Sequence, residues 1–427
     1  MNELEALFNP LDRTARQNEG KQIWLKSGGR GTFEYPTGFG KTRTAMNCIT
    51  TVIAKYPKTR IIVVVPTTAL RNQWTSLLDK AGLSLNCEVL VINTAIKSER
   101  QCDILVLDEI HRTPANTFKD VFTKIKYKFI LGLTGTFDRL DGKHELIKKY
   151  CPVIDSITPE EAMRNGWVSQ YKEYEVIIDV DDIDKYKEYN KEFTAHFEFF
   201  NYNFDLAMKM VGKNGLKNRM NYTNEICQNE SKEKWKEVFK SVTYHSMQLM
   251  KAIQDRKAFI NNHPKKLELT RKIIEAREGK KIITFSNNIK MAEAIGVGEV
   301  YSGKDSEKKG RATIDSLISG ETMILNTIQK ANEGLDIPGL SVAIILGLDS
   351  SKIKSKQRKG RVIRKEEDKQ AEIFNIVINQ TVELEWFSKS HEKSSYIKID
   401  EKGLDNVLNG LEPDPYERPI PKLSYRF

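Results

Sequence analysis

Apolar residues fall along this chain in short unbroken runs separated by stretches with helical spacing. Arg60–Pro66 is a β-branched run stopped by a proline, and Cys102–Glu109 and Phe129–Thr136 are similar. Runs that apolar, without polar alternation, suit strands buried on both faces of a parallel sheet. The pattern changes over 181–262, which is rich in Lys, Glu, Asn, Tyr and Phe and poor in β-branched runs. Helices are expected there, with breaks near Gly212–Gly215 and Asn261–Pro264. Tyr186, Tyr189, Phe193, Phe197, Phe199, Phe200, Tyr202 and Phe204 would pack as a helical core, with a base-stacking platform as the alternative. Strand runs resume at Lys280–Ser286, Thr322–Asn326, Ser341–Gly347 and Ala371–Val377. Strands alternating with helices imply α/β layers. The expectation is two α/β domains with a helical insertion between them. The boundaries are 1–157 for the first domain, 158–180 with 265–395 for the second, 181–264 for the insertion, and 396–427 for a polar, Pro-rich tail.

Composition narrows the class. At 427 residues, 39% hydrophobic and 30% charged, the chain suits two or three globular domains. No apolar run approaches the length of a membrane span, and the N-terminus lacks the basic start and apolar stretch of a secretory signal. Cys48, Cys87, Cys102, Cys151 and Cys227 are scattered, with no Cys-x-x-Cys pair. That spacing argues against a zinc site and for reduced thiols in the cytoplasm. A net charge of +10 fits a polyanionic partner without proving one.

The chemistry begins at Thr37-Gly38-Phe39-Gly40-Lys41-Thr42, where a Gly-rich turn runs into a helical stretch. Backbone N–H groups at such a helix start can cradle phosphates. Gly38 and Gly40 let the loop wrap closely. Lys41 would reach the terminal phosphates of ATP and Thr42 would ligate Mg2+. Tyr35 stands where the strict phosphate-loop pattern has Gly. Downstream, Asp108-Glu109-Ile110-His111 closes a buried strand with two adjacent carboxylates. Asp108 would hold Mg2+ through water, Glu109 would activate the attacking water, and His111 would lie near the γ-phosphate.

Asp-Glu-Ile-His resembles the DEAH-type box of superfamily 2 helicases, and the remaining motifs follow in that family's order from about Arg13 to Trp386. The resemblance implies two RecA-like domains with ATP between them. It places Gln17 as the adenine-reading glutamine. Val63–Trp74 is similar to motif Ia, with Thr67 and Arg71 on the nucleic-acid backbone and Thr94 in the next loop as a further contact. Leu133–Thr136 resembles motif III, though Gly135 and Phe137 depart from its usual form. In the second half, Ile282–Asn288 resembles motif IV and Ala331–Pro338 motif V, with Gly334 and Asp336 sensing the nucleotide and Thr327 touching the strand. Gln357–Arg364 resembles motif VI, which implies that Gln357 faces the nucleotide and that Arg361 and Arg364 are arginine fingers. Lys352, Lys354 and Lys356 read equally as solvated charge.

Gly28-Gly29-Arg30-Gly31 and Leu131–Gly142 further resemble the XPB-like and type III restriction motors. The implied function is an ATP-dependent helicase or translocase acting on duplex, forked or junction DNA in repair, recombination or replication. The implied setting is a monomer in a bacterial or phage-infected cytoplasm, open to protein partners. An RNA helicase and a nucleotide-gated scaffold with weak ATPase stay open as alternatives. The insertion could clamp DNA, wedge strands apart or simply connect the domains.

Overall fold

The computed structural model describes residues 12–112, 115–135, 144–212, 214–302, 307–328, 337–348, 370–391, 395–414 and 416. Two parallel sheets organise them. The first has six strands in the order β3-β2-β5-β7-β1-β8. These are β1 (Arg30–Glu34), β2 (Ile61–Val65), β3 (Cys87–Val91), β5 (Ile104–Asp108), β7 (Phe129–Thr134) and β8 (Val153–Ser156). A two-residue pairing of β4 (Arg100–Gln101) with β6 (Ile125–Lys126) stands apart. Every residue of β2 and β5 is buried, as runs of Ile, Val and Leu require when helices cover both faces. Because all pairings are parallel, the C-terminal ends of the strands share one edge.

The second sheet runs β11-β12-β10-β13-β14-β9-β15. Its strands are β9 (Gln170–Ile178), β10 (Lys281–Ser286), β11 (Glu299–Tyr301), β12 (Ile324–Ile328), β13 (Leu340–Ile345), β14 (Gln370–Ile378) and β15 (Ile397–Ile399). β9 and β14 pair along their full length, from Gln170 with Gln370 to Ile178 with Ile378. The chain enters this sheet at Gln170, later than the boundary expected at 158. Ile157, Ala162, Trp167 and Val168 belong to the core of the first sheet. The tail also differs from expectation. Residues 397–399 form the edge strand β15, and the helix Glu401–Leu408 buries Leu404 and Val407 against the second sheet. A three-residue strand shows no period in sequence, so only its pairing to β9 reveals it.

Between β9 and β10, both strands of the second sheet, the described part of 181–264 is helical, so the insertion interrupts the second domain. Four helices follow one another: Ile183–Glu198, Phe204–Val211, Gly215–Ile226 and the 31-residue Lys232–Asn262. Breaks fall where Gly212–Gly215 and Asn261–Pro264 signalled them. Phe193, Phe197 and Phe200 are core residues, while Tyr202 and Phe204 are half exposed at a turn. Among the described residues no helix is long and apolar enough to cross a membrane.

β9 carries two buried carboxylates on one face, Glu173 and Glu175. Glu173 accepts hydrogen bonds from Asn375 Nδ2 at 3.1 Å and pairs with His391 Nε2 at 2.9 Å. Burial pushes the Glu175 carboxyl up to about 7, with Lys398 opposing and Glu173 reinforcing the shift. A carboxyl that keeps its proton up to about 7 when folded, against about 4.3 unfolded, stabilises the fold fully at low pH. That contribution is lost as pH rises through about 7. The melting temperature of Glu175→Gln should therefore fall less than that of the wild type between about pH 5 and about pH 8.

Candidate nucleotide and nucleic-acid site

Helix α1 (Arg13–Lys26) lies over the loop that follows β1. Arg13 Nε donates to Phe39 O at 2.8 Å, Arg13 Nη2 to Gly38 O at 2.7 Å, and Gln17 Nε2 to Phe39 O at 2.9 Å. Three side-chain donors thus hold the loop's carbonyls on one side. Gly38 and Gly40 have φ of 89° and 105°, a region that only glycine enters at little cost. A Cβ on Gly40 would sit 2.5 Å from Gln17 Nε2. Helix α2 (Lys41–Lys55) starts at Gly40 with no side chain capping it. Its first N–H groups are therefore available to an anion. Lys41 is buried and its Nζ donates to Tyr35 O at 3.3 Å. Thr37 and Thr42 are half-buried beside it.

Two residues of the loop are structural. Phe39 was expected at the nucleotide, but its ring is fully buried against Tyr35 and Trp167. Its N–H bonds to Pro36 O and its carbonyl is taken by α1. Tyr35 fills the position of the missing glycine as a core tether. Its hydroxyl bonds to Asp155, which Arg16 grips through two bonds of 2.7 and 2.6 Å. Gly20 makes room for that hydroxyl, since a Cβ there would approach it to 2.3 Å.

At the end of β5 two neighbouring carboxylates have different surroundings. Asp108 is buried; its Oδ2 accepts from Trp74 Nε1 at 2.8 Å and its Oδ1 from the Glu109 N–H at 2.9 Å. Burial, then the charge of Glu109, pushes the Asp108 carboxyl up to about 6, while Trp74 and Lys41 pull it down. Glu109 stays 21% exposed at its side chain, with Oε2 3.4 Å from His111 Nδ1. Its φ of 49° is left-handed. For a residue with a Cβ that costs about 1–2 kcal/mol, strain of the kind held at functional sites. His111 Nδ1 lies 2.8 Å from Thr134 Oγ1 at the end of β7. The next residue, Gly135, keeps Lys41 Nζ and Thr37 Oγ1 3.7 Å from where its Cβ would be. The strand ends β1, β7 and β5 therefore bring Lys41, Thr134, His111, Glu109 and Asp108 to one region.

One observation fits ATP at this site. Gln17 Oε1 is buried without a hydrogen-bond partner among the described residues, an open acceptor of the kind an adenine amino group would satisfy. No cluster of three or more His, Cys, Asp or Glu side chains is placed to hold a metal among the described residues. Mg2+ takes most of its ligands from phosphates and water, and Asp108 and Thr42 are the candidate side chains for it in this region.

The expected nucleic-acid contacts divide. Thr67 caps helix α3 (Thr68–Lys80), accepting from Leu70 N at 3.3 Å, and Arg71 is exposed on the same helix. Thr94 is exposed just past β3. All three lie by the C-terminal ends of the neighbouring strands β2 and β3. Thr327 is a correction. It is fully buried inside β12 and its hydroxyl donates to Thr284 O at 2.7 Å, so strand pairing on both sides withdraws it from any ligand. Gly334, Asp336, Gln357, Arg361 and Arg364 lie outside the described residues, as do Thr136 and Phe137. Arg13, Trp74 and the Arg16–Asp155 pair were not anticipated. The only sequence signal was Arg13 one helical turn before Gln17.

The chain matches two family models in order. "Type III restriction enzyme, res subunit" covers residues 4–91 and 84–139, and "Helicase conserved C-terminal domain" covers 265–366. It is also 24% identical over 387 residues to "DNA 3'-5' translocase XPB2" of Sulfurisphaera tokodaii, covering 86% of this chain and 82% of that one. The chain is a superfamily 2 helicase of the XPB-like, type III restriction kind. It is thereby an enzyme of an ATP-hydrolysing class. "Putative helicase 22" of a Sulfolobus islandicus filamentous virus is 22% identical over 412 residues, and there this helicase spans 65% of the relative's length. Solved structures agree in fold. The helicase domain of Pyrococcus furiosus Hef aligns with a TM-score of 0.52 at 17% identity, over 88% of this chain and 98% of that one. S. cerevisiae Dbp5 bound to RNA and ADP BeF3 aligns at 0.58 and 12%, over 92% and 91%. Both α/β domains of this helicase are accordingly RecA-like.

Proposed function

We propose that this helicase hydrolyses ATP to move on, or remodel, duplex or branched DNA in repair, recombination or replication. The observation that carries the reading is the convergence of buried Lys41, buried Asp108 and partly exposed, strained Glu109 at adjoining strand ends. Lys41 and the free N–H groups of α2 bind the phosphates. Gln17 Oε1 takes the adenine amino group. Thr42 and Asp108 would hold Mg2+, which neutralises charge on the phosphates when bound. Glu109, the more exposed carboxylate, orients the attacking water and accepts its proton. Arg361 and Arg364, in the motif VI sequence, would stabilise charge on the transferred phosphoryl group when the domains close.

His111 bonded to Thr134 ties the second carboxylate to the strand end inside the altered motif III. That link gives hydrolysis a route to domain movement. Thr67, Arg71 and Thr94 on the same sheet edge would grip phosphates without reading bases, as a mover requires. The DNA 3'-5' translocase among the relatives supports DNA over RNA. On this reading the helicase works as a monomer in a bacterial or phage-infected cytoplasm.

ATPase activity is to be measured with forks, Holliday junctions, duplexes, single strands and RNA, beside strand displacement. Stimulation by DNA is expected; stimulation by RNA alone would overturn the choice of polymer, and no stimulation would favour a scaffold. Gln17→Ala should raise KM for ATP about ten-fold, the worth of one well-placed hydrogen bond, and erase preference for ATP over GTP. Unchanged nucleotide preference would remove Gln17 from the adenine site.

A further inference from the structure

The helix Lys232–Asn262 is about 46 Å long at 1.5 Å per residue. Its buried face, Val242, Ser246, Leu249, Ala252, Arg256 and Ile260, packs inward. On the opposite face Lys240, Tyr244, Met247 and Lys251 recur at helical spacing, and all four are exposed. Tyr244 and Met247 are 55% and 62% exposed, large values for such side chains. Tyr244 is propped edge-on against the rings of His196 and His245. Neither Lys240 nor Lys251 has an anionic partner among the described residues, and Glu237, one turn before, is engaged by Lys234 at 3.1 Å. A packed core explains none of these four residues.

The root of the same helix is fastened to the second sheet. Asn261 Oδ1 accepts from Asn287 Nδ2, and Asn262 Oδ1 accepts from Asn288 Nδ2 at 2.8 Å. Both partners lie in the loop that leaves β10. Asn288 also caps the next helix through the Met291 N–H at 2.9 Å. Gly347 at the end of β13 is required by this clasp, because a Cβ there would fall 2.3 Å from the Asn287 side chain. Nearby, the Tyr186 hydroxyl accepts from the Val382 N–H at 3.1 Å, and Tyr186, Ile260 and Val382 bury one another. The Arg256 guanidinium lies 4.3 Å from the centre of the Phe193 ring. His263 and Asp182, at the two ends of the insertion, pair at 2.9 Å.

We infer that Lys240, Tyr244, Met247 and Lys251 form a second nucleic-acid contact, and that the asparagine clasp makes it travel with the second sheet. The inference rests on the nucleic-acid reading above and adds to it a place and a mechanical link. Two cations about 16 Å apart along the helix, with an aromatic and a polarisable thioether between them, match a phosphate backbone with a base face at mid-span. A rigid root converts closure of the second sheet on nucleotide into displacement of the tip. Asn261 and Asn262 are then positioning residues, acting through the helix.

The test uses the full chain with forked DNA and equilibrium binding across a salt series. Lys240→Ala with Lys251→Ala should lower the slope of log affinity against log salt by about 2, one unit per lost phosphate contact. Tyr244→Ala should weaken binding to the single-stranded arm about ten-fold, as loss of one stacked base does. Asn261→Ala with Asn262→Ala should keep the full slope without nucleotide yet lose several-fold of the stimulation of ATPase by DNA. Thermal melts matching the wild type exclude unfolding of the variants. A wild-type slope in the double lysine variant would overturn the contact, and so would a change of oligomeric state in its place. Unaltered stimulation in the asparagine variant would overturn the link. If the wild type itself ignores DNA, the proposed function fails first; if it responds and the variants match it, only this inference fails.

Discussion

Glu109→Gln is expected to abolish turnover while ATP and DNA binding persist. The amide keeps the size of the carboxylate and the left-handed turn after Asp108, so the loop is not reshaped. It cannot accept the proton of the attacking water. General-base catalysis contributes about 10²–10⁴-fold in rate, and a loss in that range is the expected outcome. The neighbouring carboxylate cannot substitute. Asp108 is buried with both oxygens engaged, one by Trp74 and one by the Glu109 N–H. Single-turnover hydrolysis beside fluorescent-nucleotide binding checks the prediction. Equal hydrolysis by wild type and variant would remove Glu109 from the catalytic role.

The second large effect lies in the second sheet. Lys266 and Glu383 are both fully buried, with Nζ to Oε1 at 2.6 Å. Lys266 Nζ also donates to Leu346 O at 2.9 Å, and Glu383 Oε2 accepts from the Ile378 N–H at 3.1 Å. The pair joins the helix Pro264–Ala276 to the helix Val382–Ser390 across the ends of β13 and β14. Lys266→Ala leaves a buried carboxylate without its cation, which costs about 3–5 kcal/mol. For a domain of this size that is a fall of roughly 10 °C in melting temperature. Calorimetry should show it in the transition of the second domain. A shift below about 2 °C would mean that water reaches Glu383 and the pair is not sealed.

Parts of the fold were legible because their causes are local. Ile61–Val65 and Ile104–Asp108 carry enough β-branched and apolar residues to require burial on both faces, and both are central strands. The loop before Lys41 has glycines where the backbone turns left-handed. The helix breaks at Gly212–Gly215 and Asn261–Pro264 follow from glycine and proline chemistry. Other parts were hidden because the deciding partner is distant in sequence. β1, β8 and β15 are short and mixed, and exist through the strands beside them.

The sequence by itself therefore determined the class of machine and supplied its candidate nucleotide residues, because phosphate loops and strand-end carboxylates are written in consecutive residues. Only the tertiary structure decided what individual side chains face. Phe39 sits in the phosphate loop yet belongs to the core, and Tyr35 replaces a glycine in order to hold Asp155. Thr327 is sealed inside β12, whereas Lys240 and Lys251 stand in solvent and Lys266 is buried on Glu383. The flanking residues of the three lysines, Phe239 and Ser241, Met250 and Ala252, Lys265 and Leu267, do not tell which of them is buried. What separates them is the distant chain packed against each, and that is set by sheet order and helix docking rather than by any local pattern.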